Sequence, residues 1–405
     1  MLTLGIIKEG KIPADNRVAL TPGQCKWLIQ NVEGLKVVVQ PSNIRCFSDE
    51  EYRHAGAILS NDLSNCDWLL GIKEVPVTEL LEGKKYMFFS HTRKKQQHNQ
   101  HLMHAMVEKK ITLLDYEMLQ HADGQRIIGF GFFAGIVGAH NGMMVYGHRT
   151  DSFHLKRVYE CHDYRALIHT YFGLRLPNVK IAVTGSGRVA HGILEVMNLM
   201  DVQEVEPDEF LEKEFDYPVY VHLKGKDLYR NKQSGEYIRD EFHAHPGKYE
   251  CTFLPYCYAS DILMNGVYWD ANIPRLFDMQ HLKDPRFRIR SIADITDDAF
   301  GSVPCNLGDG TILDPVYGVD RNTGNKIPPY SENGVDVMAV GNLPNELPKD
   351  ASRYFGEQLM KYVLQDLSQG GSNLMDRATI LNNGRLTEHF SYLADYAAIP
   401  AQSAV

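Results

Sequence analysis

The chain has 405 residues, 44% of them hydrophobic and 23% charged, with a formal net charge of -9. That length exceeds one ordinary core and suggests two domains, and an acidic balance spread along the chain excludes the extended basic surface that nucleic acid would need. No apolar run approaches the roughly 18 residues that cross a bilayer, the N-terminus lacks a charged leader pattern, and the cysteines show neither zinc nor disulfide spacing; the expectation is a cytoplasmic protein with reduced thiols and no metal.

Taken in chain order, alternation and punctuation predict strands at Leu4–Lys8, Lys36–Gln40, Trp68–Lys73, Tyr86–Phe89 and Thr112–Asp115, with helices at Pro22–Asn31, Asp49–Ala55 and Gln97–Lys109 between them. This is α/β texture. Small residues at Gly131, Ala134, Gly135, Gly138, Ala139 and Gly142 give a helix one closely packable face, which predicts a buried helix with another backbone against it. Next, the β-branched run Asn178–Thr184 breaks at Gly185-Ser-Gly-Arg-Val-Ala190 into a helix predicted over Val189–Met200. In such a Gly-x-Gly-x-x-Ala turn Gly185 permits the bend and Gly187 lets backbone approach a pyrophosphate. Ala190 lets the helix pack close, so Ser186, Arg188 and Val189 line a dinucleotide site at the helix N-terminus. A strand at Val202–Val205 is expected to end at Glu206, 21 residues beyond Gly185, where a ribose-binding carboxylate belongs. Further strands are expected near Tyr249 and Arg288, and helices near Leu359–Ser368 and Leu386–Ala397. Two such units meeting at a cleft would bring cofactor and substrate together.

Ionisable residues at predicted strand ends are candidates for chemistry. Lys73-Glu74 and His91 each follow an apolar strand, and in an α/β sheet those carboxyl ends line the ligand crevice. Desolvation lowers a lysine's pKa and histidine titrates near neutrality, so this pair could exchange protons at physiological pH; a strand-end lysine also reads as a solvated cap. Arg17 and Arg126 could clamp a carboxylate or be ordinary surface cations. Asp115 and Glu117 could orient the lysine or histidine. In the second half, Asp294 and Asp298 end a strand and Asn342 punctuates a strand-to-helix turn, both placed to hold a nicotinamide ribose. His243 with His245, Cys251 with Cys257, and Arg93-Lys-Lys95 invite metal, redox and phosphate readings, but no further ligands, Cys-x-x-Cys spacing or basic surface accompany them.

The same places carry a resemblance. Asn16-Arg-Val-Ala-Leu-Thr-Pro22, Lys73-Glu74 and Asp294 to Asp298 resemble the alanine dehydrogenase and nicotinamide transhydrogenase superfamily. Phe88-Phe-Ser-His-Thr92, Leu113-Leu-Asp-Tyr-Glu117, Arg126 to Gly135, Asn265-Gly-Val-Tyr-Trp-Asp270, Gly341 to Ser352 and Asn383-Gly-Arg-Leu-Thr387 are similar to its saccharopine-type branch, which includes saccharopine dehydrogenase (lysine-forming) and lysine-ketoglutarate reductase. The resemblance implies an α/β fold of two Rossmann-like domains with parallel-rich sheets flanked by helices. Residues 1–140 completed by 345–405 would form the substrate and catalytic domain, and 141–344 the dinucleotide domain. It implies Lys73 and His91 as the acid–base pair, and Arg17 and Arg126, with Glu74 and Glu117, on the substrate. Gly185, Gly187, Glu206, Asn265, Asp294, Asp298 and Asn342 would serve the cofactor, with no metal site. The implied reaction is NAD(P)-dependent interconversion of saccharopine with L-lysine plus 2-oxoglutarate, so the partners are a 2-oxo acid and an amino acid, and a homo-oligomer is compatible. Glu206 argues for NAD, whereas Arg188 could accept the 2′-phosphate of NADP. The alternatives are an alanine-dehydrogenase-like enzyme using ammonia and a non-catalytic nucleotide-binding relic of the same fold.

Overall fold

A computed structural model describes residues 2–121, 124–308, 310–368 and 373–397. The chain divides into two compact units, Met1–Phe130 with Pro348–Val405, and Gly131–Leu347.

In the first unit, β1 (Thr3–Ile6), β2 (Lys36–Val39), β3 (Ile58–Leu59), β4 (Trp68–Leu70), β5 (Lys85–Phe88) and β6 (Thr112–Asp115) form a parallel sheet in the order β6-β5-β4-β1-β2-β3. Beyond β6 the returning hairpin Thr379–Asn382 and Arg385–Leu386 adds two antiparallel strands. Leu70, Met87 and Leu114 pack into one hydrophobic cluster while their neighbours Leu69, Tyr86, Phe88 and Leu113 pack into another, so the sheet is covered on both faces. The helix Pro22–Asn31 starts where expected because Thr21 and Gln24 cap each other reciprocally and Pro22 occupies the first turn. The tail departs from expectation: Leu386 belongs to a strand, and only Glu388–Leu393 is helical, as a 3-10 turn.

The second unit contains β7 (Lys180–Thr184), β8 (Gln203–Glu204), β9 (Val219–Leu223), β10 (Tyr229–Asn231), β11 (Tyr249–Cys251), β12 (Ile262–Asn265), β13 (Ser291–Asp294), β14 (Val316–Asp320), β15 (Lys326–Ile327) and β16 (Gly334–Met338). Its main sheet runs β8-β9-β7-β12-β13-β16-β14-β15, parallel from β8 through β16 and antiparallel thereafter, with β10 and β11 a separate hairpin. Strands β9, β12, β14 and β16 are buried along nearly every residue, so they carry no alternating signal, and the strand expected near Arg288 begins at Ser291.

The glycine-studded helix spans Gly131–Thr150 and lies against the helix Arg188–Leu199. A Cβ at Gly135 would fall 2.0 Å from the Val189 carbonyl oxygen and one at Gly192 2.0 Å from that of Phe132, so the two backbones touch only because both positions are glycine. A Cβ at Gly138 would run into the Ile295 side chain and one at Gly142 into that of Ala293. The whole helix therefore belongs to the second unit, and the boundary expected at residue 140 falls inside it. Among the described residues no helix is long and apolar enough to cross a membrane.

Candidate active site

Strands β4 and β5 are neighbours, and their pairing continues past their ends: Gly71 N–H donates to the Met87 carbonyl at 2.9 Å and Phe89 N–H to that of Ile72 at 3.0 Å. Lys73-Glu74 and His91 thus leave adjacent strands at the carboxyl edge. His91 Nδ1 lies 2.6 Å from Glu74 Oε1, and Glu74 Oε2 accepts from Lys11 Nζ at 3.0 Å. A carboxylate only accepts, so the His91 proton sits on Nδ1 and Nε2 is left to exchange protons. Burial opposes the Glu74 charge, but the hydrogen bond and charge of His91 hold its carboxyl well below the usual range. Both Glu74 oxygens are engaged by protein groups, which makes the residue an orienter of His91. Burial, then the charges of Arg17 and Lys11, push the Lys73 ammonium down to about 8 against the pull of Glu74 and Asp15.

Arg17 is held fast. Its Nε and Nη2 donate to the two oxygens of Asp15 at 2.9 and 2.6 Å, its guanidinium lies 4.2 Å from the centre of the Phe130 ring, and it is 3% exposed. Burial resists the charge on Asp15, yet Arg17 holds that carboxyl at about 2. Arg126 is placed differently: half exposed, it forms an ion pair with the buried Glu117, whose Oε1 also lies 4.0 Å from Arg93. Glu9 was missed by the sequence. Its carboxylate accepts the backbone N–H groups of Ile72 at 2.7 Å and Lys73 at 2.9 Å, and burial followed by the charge of Asp15 raises it to about 8. A hollow of about 500 Å³ opens beside it, lined in part by Lys8, Ser42, Asn43 and Glu79. No local pattern marks Glu9; its contacts cross 63 and 64 residues of chain.

In the second unit, Gly185 has φ +107 and a Cβ there would lie 2.5 Å from the Gly266 carbonyl oxygen, so the turn requires glycine. Gly187 caps the helix Arg188–Leu199 without a side-chain hydrogen bond, and a Cβ added there would meet nothing within 4 Å. Ser186 and Gly187 are exposed, Arg188 and Val189 half-buried and Ala190 sealed beneath. Open space over uncapped amides fits a pyrophosphate. Glu206 is exposed and follows β8, but β9 lies between β8 and β7, so the strand beside the glycine turn ends at Leu223-Lys224 instead. The nearly continuous burial of β9 gave no alternating signal, and that hid this order.

Asn265 and Asp294 are fully buried. Asn265 accepts from Thr184 Oγ1 at 2.7 Å and donates to Asp294 Oδ1 at 2.8 Å and Ser302 Oγ at 2.9 Å, and Asn306 donates to Asp294 Oδ2 at 2.9 Å. These groups tie the ends of β7, β12 and β13 together. Asn265 and Asp294, expected at the cofactor, present no surface, whereas Asp298 and Asn342 are both half-buried. Among the described residues no group of three His, Cys, Asp or Glu is placed to hold a metal ion.

Residues 5–137 match the family described as alanine dehydrogenase/PNT, N-terminal domain. The chain is 31% identical to the mitochondrial alpha-aminoadipic semialdehyde synthase of Mus musculus over 94% of its own length and 46% of the mouse protein, so it spans about half of that relative. It is 25% identical to saccharopine dehydrogenase [NAD(+), L-lysine-forming] of Candida glabrata, over 94% of this chain and 96% of the fungal one. Among solved structures an L-alanine dehydrogenase superposes with a TM-score of 0.64 at 14% identity, covering 98% of this chain and 99% of the other, which supports the two Rossmann-like folds.

Proposed function

We propose, for a chain whose residues 5–137 belong to the alanine dehydrogenase/PNT N-terminal domain family, an oxidoreductase of the saccharopine dehydrogenase (L-lysine-forming) type that joins 2-oxoglutarate and the ε-amine of L-lysine. The observation that carries this reading is the His91–Glu74 pair at one sheet edge with Lys73 lowered to about 8. Relatives of that printed activity along nearly the whole chain support it.

A nicotinamide dinucleotide, NAD or NADP, supplies the hydride when bound, and Gly185, Ser186, Gly187, Arg188 and Val189 would hold it, with Asp298 and Asn342 nearby. The residues of the first unit handle protons. An amine attacks an oxo carbon only when neutral, and His91 Nε2 accepts the proton that the substrate nitrogen must lose. Glu74 holds the ring and stabilises the imidazolium that forms, as a carboxylate behind a catalytic histidine does. Lys73 gives its proton to the carbinolamine oxygen so that water can leave, a role suited to an ammonium that titrates near neutrality. Arg126 binds a substrate carboxylate, and Arg17, locked to Asp15, contributes a fixed positive charge.

The test is reduced-nicotinamide oxidation with 2-oxoglutarate and L-lysine, ammonia or ornithine, each with both cofactors. Turnover with lysine is expected. Turnover confined to ammonia would replace the proposal with an alanine-dehydrogenase-like activity, and nucleotide binding without turnover would reduce the chain to a relic. The cofactor arms weigh Glu206, which repels a 2′-phosphate, against Lys224, which attracts one.

A further inference from the structure

His91 has φ +52, a left-handed conformation uncommon for a residue with a Cβ and held here by its surroundings. The surroundings are three fully buried side chains. Ser90 Oγ donates to Asp115 Oδ2, and the same carboxylate oxygen accepts Ser90 N–H at 3.1 Å. With its proton directed there, Ser90 Oγ accepts from the Thr92 hydroxyl at 2.7 Å and from Thr92 N–H at 3.4 Å. Asp115 Oδ1 accepts Glu117 N–H at 2.7 Å, which anchors the carboxylate to the end of β6. The residues on both sides of His91 are thus tied to each other and to the next strand, while the imidazole between them stays half-buried with Nδ1 on Glu74 and its plane within 18° of Phe89.

We propose that Ser90, Thr92 and Asp115 are positioning residues, a clasp that fixes the His91 backbone so that Nε2 is presented for proton transfer. This rests on the acid–base role given to His91 above. A left-handed residue swings its side chain away from the direction an extended one would give it, so releasing the clasp turns the imidazole off Glu74 and mixes its tautomers. A positioning fault lowers turnover and leaves substrate binding alone.

The test compares Ser90→Ala, Thr92→Val and Thr92→Ser with the wild type in the full chain. Nitrogen-15 spectra of the labelled imidazoles report the His91 tautomer, and steady-state assays report kcat and KM for lysine and 2-oxoglutarate. Retained nucleotide binding verifies folding. Ser90→Ala and Thr92→Val are expected to lower kcat about 10- to 100-fold with KM changed less than about threefold and to shift the His91 signals toward mixed tautomers, whereas Thr92→Ser keeps the hydroxyl and behaves as wild type. Unchanged His91 signals and kcat in Thr92→Val would overturn the clasp, as would an equal fall in Thr92→Ser, whatever becomes of Ser90→Ala. If the wild type does not use lysine and 2-oxoglutarate, the functional reading fails, and the tautomer comparison still decides the clasp.

Discussion

Both units place polar side chains at the carboxyl ends of parallel strands, and the two clusters differ in what surrounds them. In the second unit Asn265, Asp294, Ser302 and Asn306 are fully buried and bonded to one another. In the first, Lys73 and His91 are half-buried, and Lys73 is displaced from its ordinary titration range. Position on the sheet nominates a residue for chemistry. Burial shifts the proton affinity of Asp294 upward as it shifts that of Lys73 downward, so access to solvent is what separates a group that reacts from one that holds strands together.

The largest effect expected from breaking this contrast is on turnover. Lys73→Met and His91→Gln should each lower kcat by about 10²- to 10⁴-fold, the usual worth of one positioned acid or base. Lys73→Met should not weaken the fold. Lys73 is depressed from 10.5 to about 8, so between those values the unfolded chain binds the extra proton, and stability from this group rises with pH through that window. At neutral pH the buried charge is a cost, and Lys73→Met should raise the urea midpoint. A lowered midpoint would place Lys73 with the structural cluster.

Asp294→Ala should do the reverse. It removes the acceptor of the Asn306 amide and one of the acceptors of the Asn265 amide in a sealed site, at about 1–3 kcal/mol for a donor left unpaired, which a shifted denaturation midpoint would show. Nucleotide affinity of the folded protein should change little; a large rise in Kd at unchanged stability would dissolve the contrast. Arg126→Ala removes a half-exposed cation and should raise KM for the oxo acid about tenfold with kcat nearly unchanged. The smallest effect is one of pH. As proton donor Lys73 must be charged, so saccharopine formation should fall as pH rises through about 8, while the reverse reaction, which needs it neutral, should rise over the same range. Initial rates in both directions measure this, and Lys73→Met should abolish the limb.

The sequence was most legible where a local rule decides the outcome. Thr21, Pro22 and Gln24 mark a helix start, small residues spaced around Gly135 mark a close helix contact, and Gly185 marks a turn that needs positive φ. Lys73 and His91 could be nominated because each follows an apolar strand. What was not legible depends on which strands become neighbours: β9 separates Glu206 from the glycine strand, and Glu9 reaches its partners across the sheet. The burial of Asp294 was hidden for the same reason. Its surface-like composition gives no sign that Asn265, Thr296 and Asn306 close over it.

The antiparallel pairing of Thr379–Asn382 with β6 has a consequence for biosynthesis. The second unit is one continuous stretch of chain and can complete its core while the ribosome is still translating. The first unit is built from segments on either side of it, so its sheet keeps an open edge at β6 until residues 379–386 have been made. A nascent chain stalled shortly after residue 347 should therefore resist protease across Gly131–Leu347 and be cut within the N-terminal segment, which has had to wait longest for its last strands.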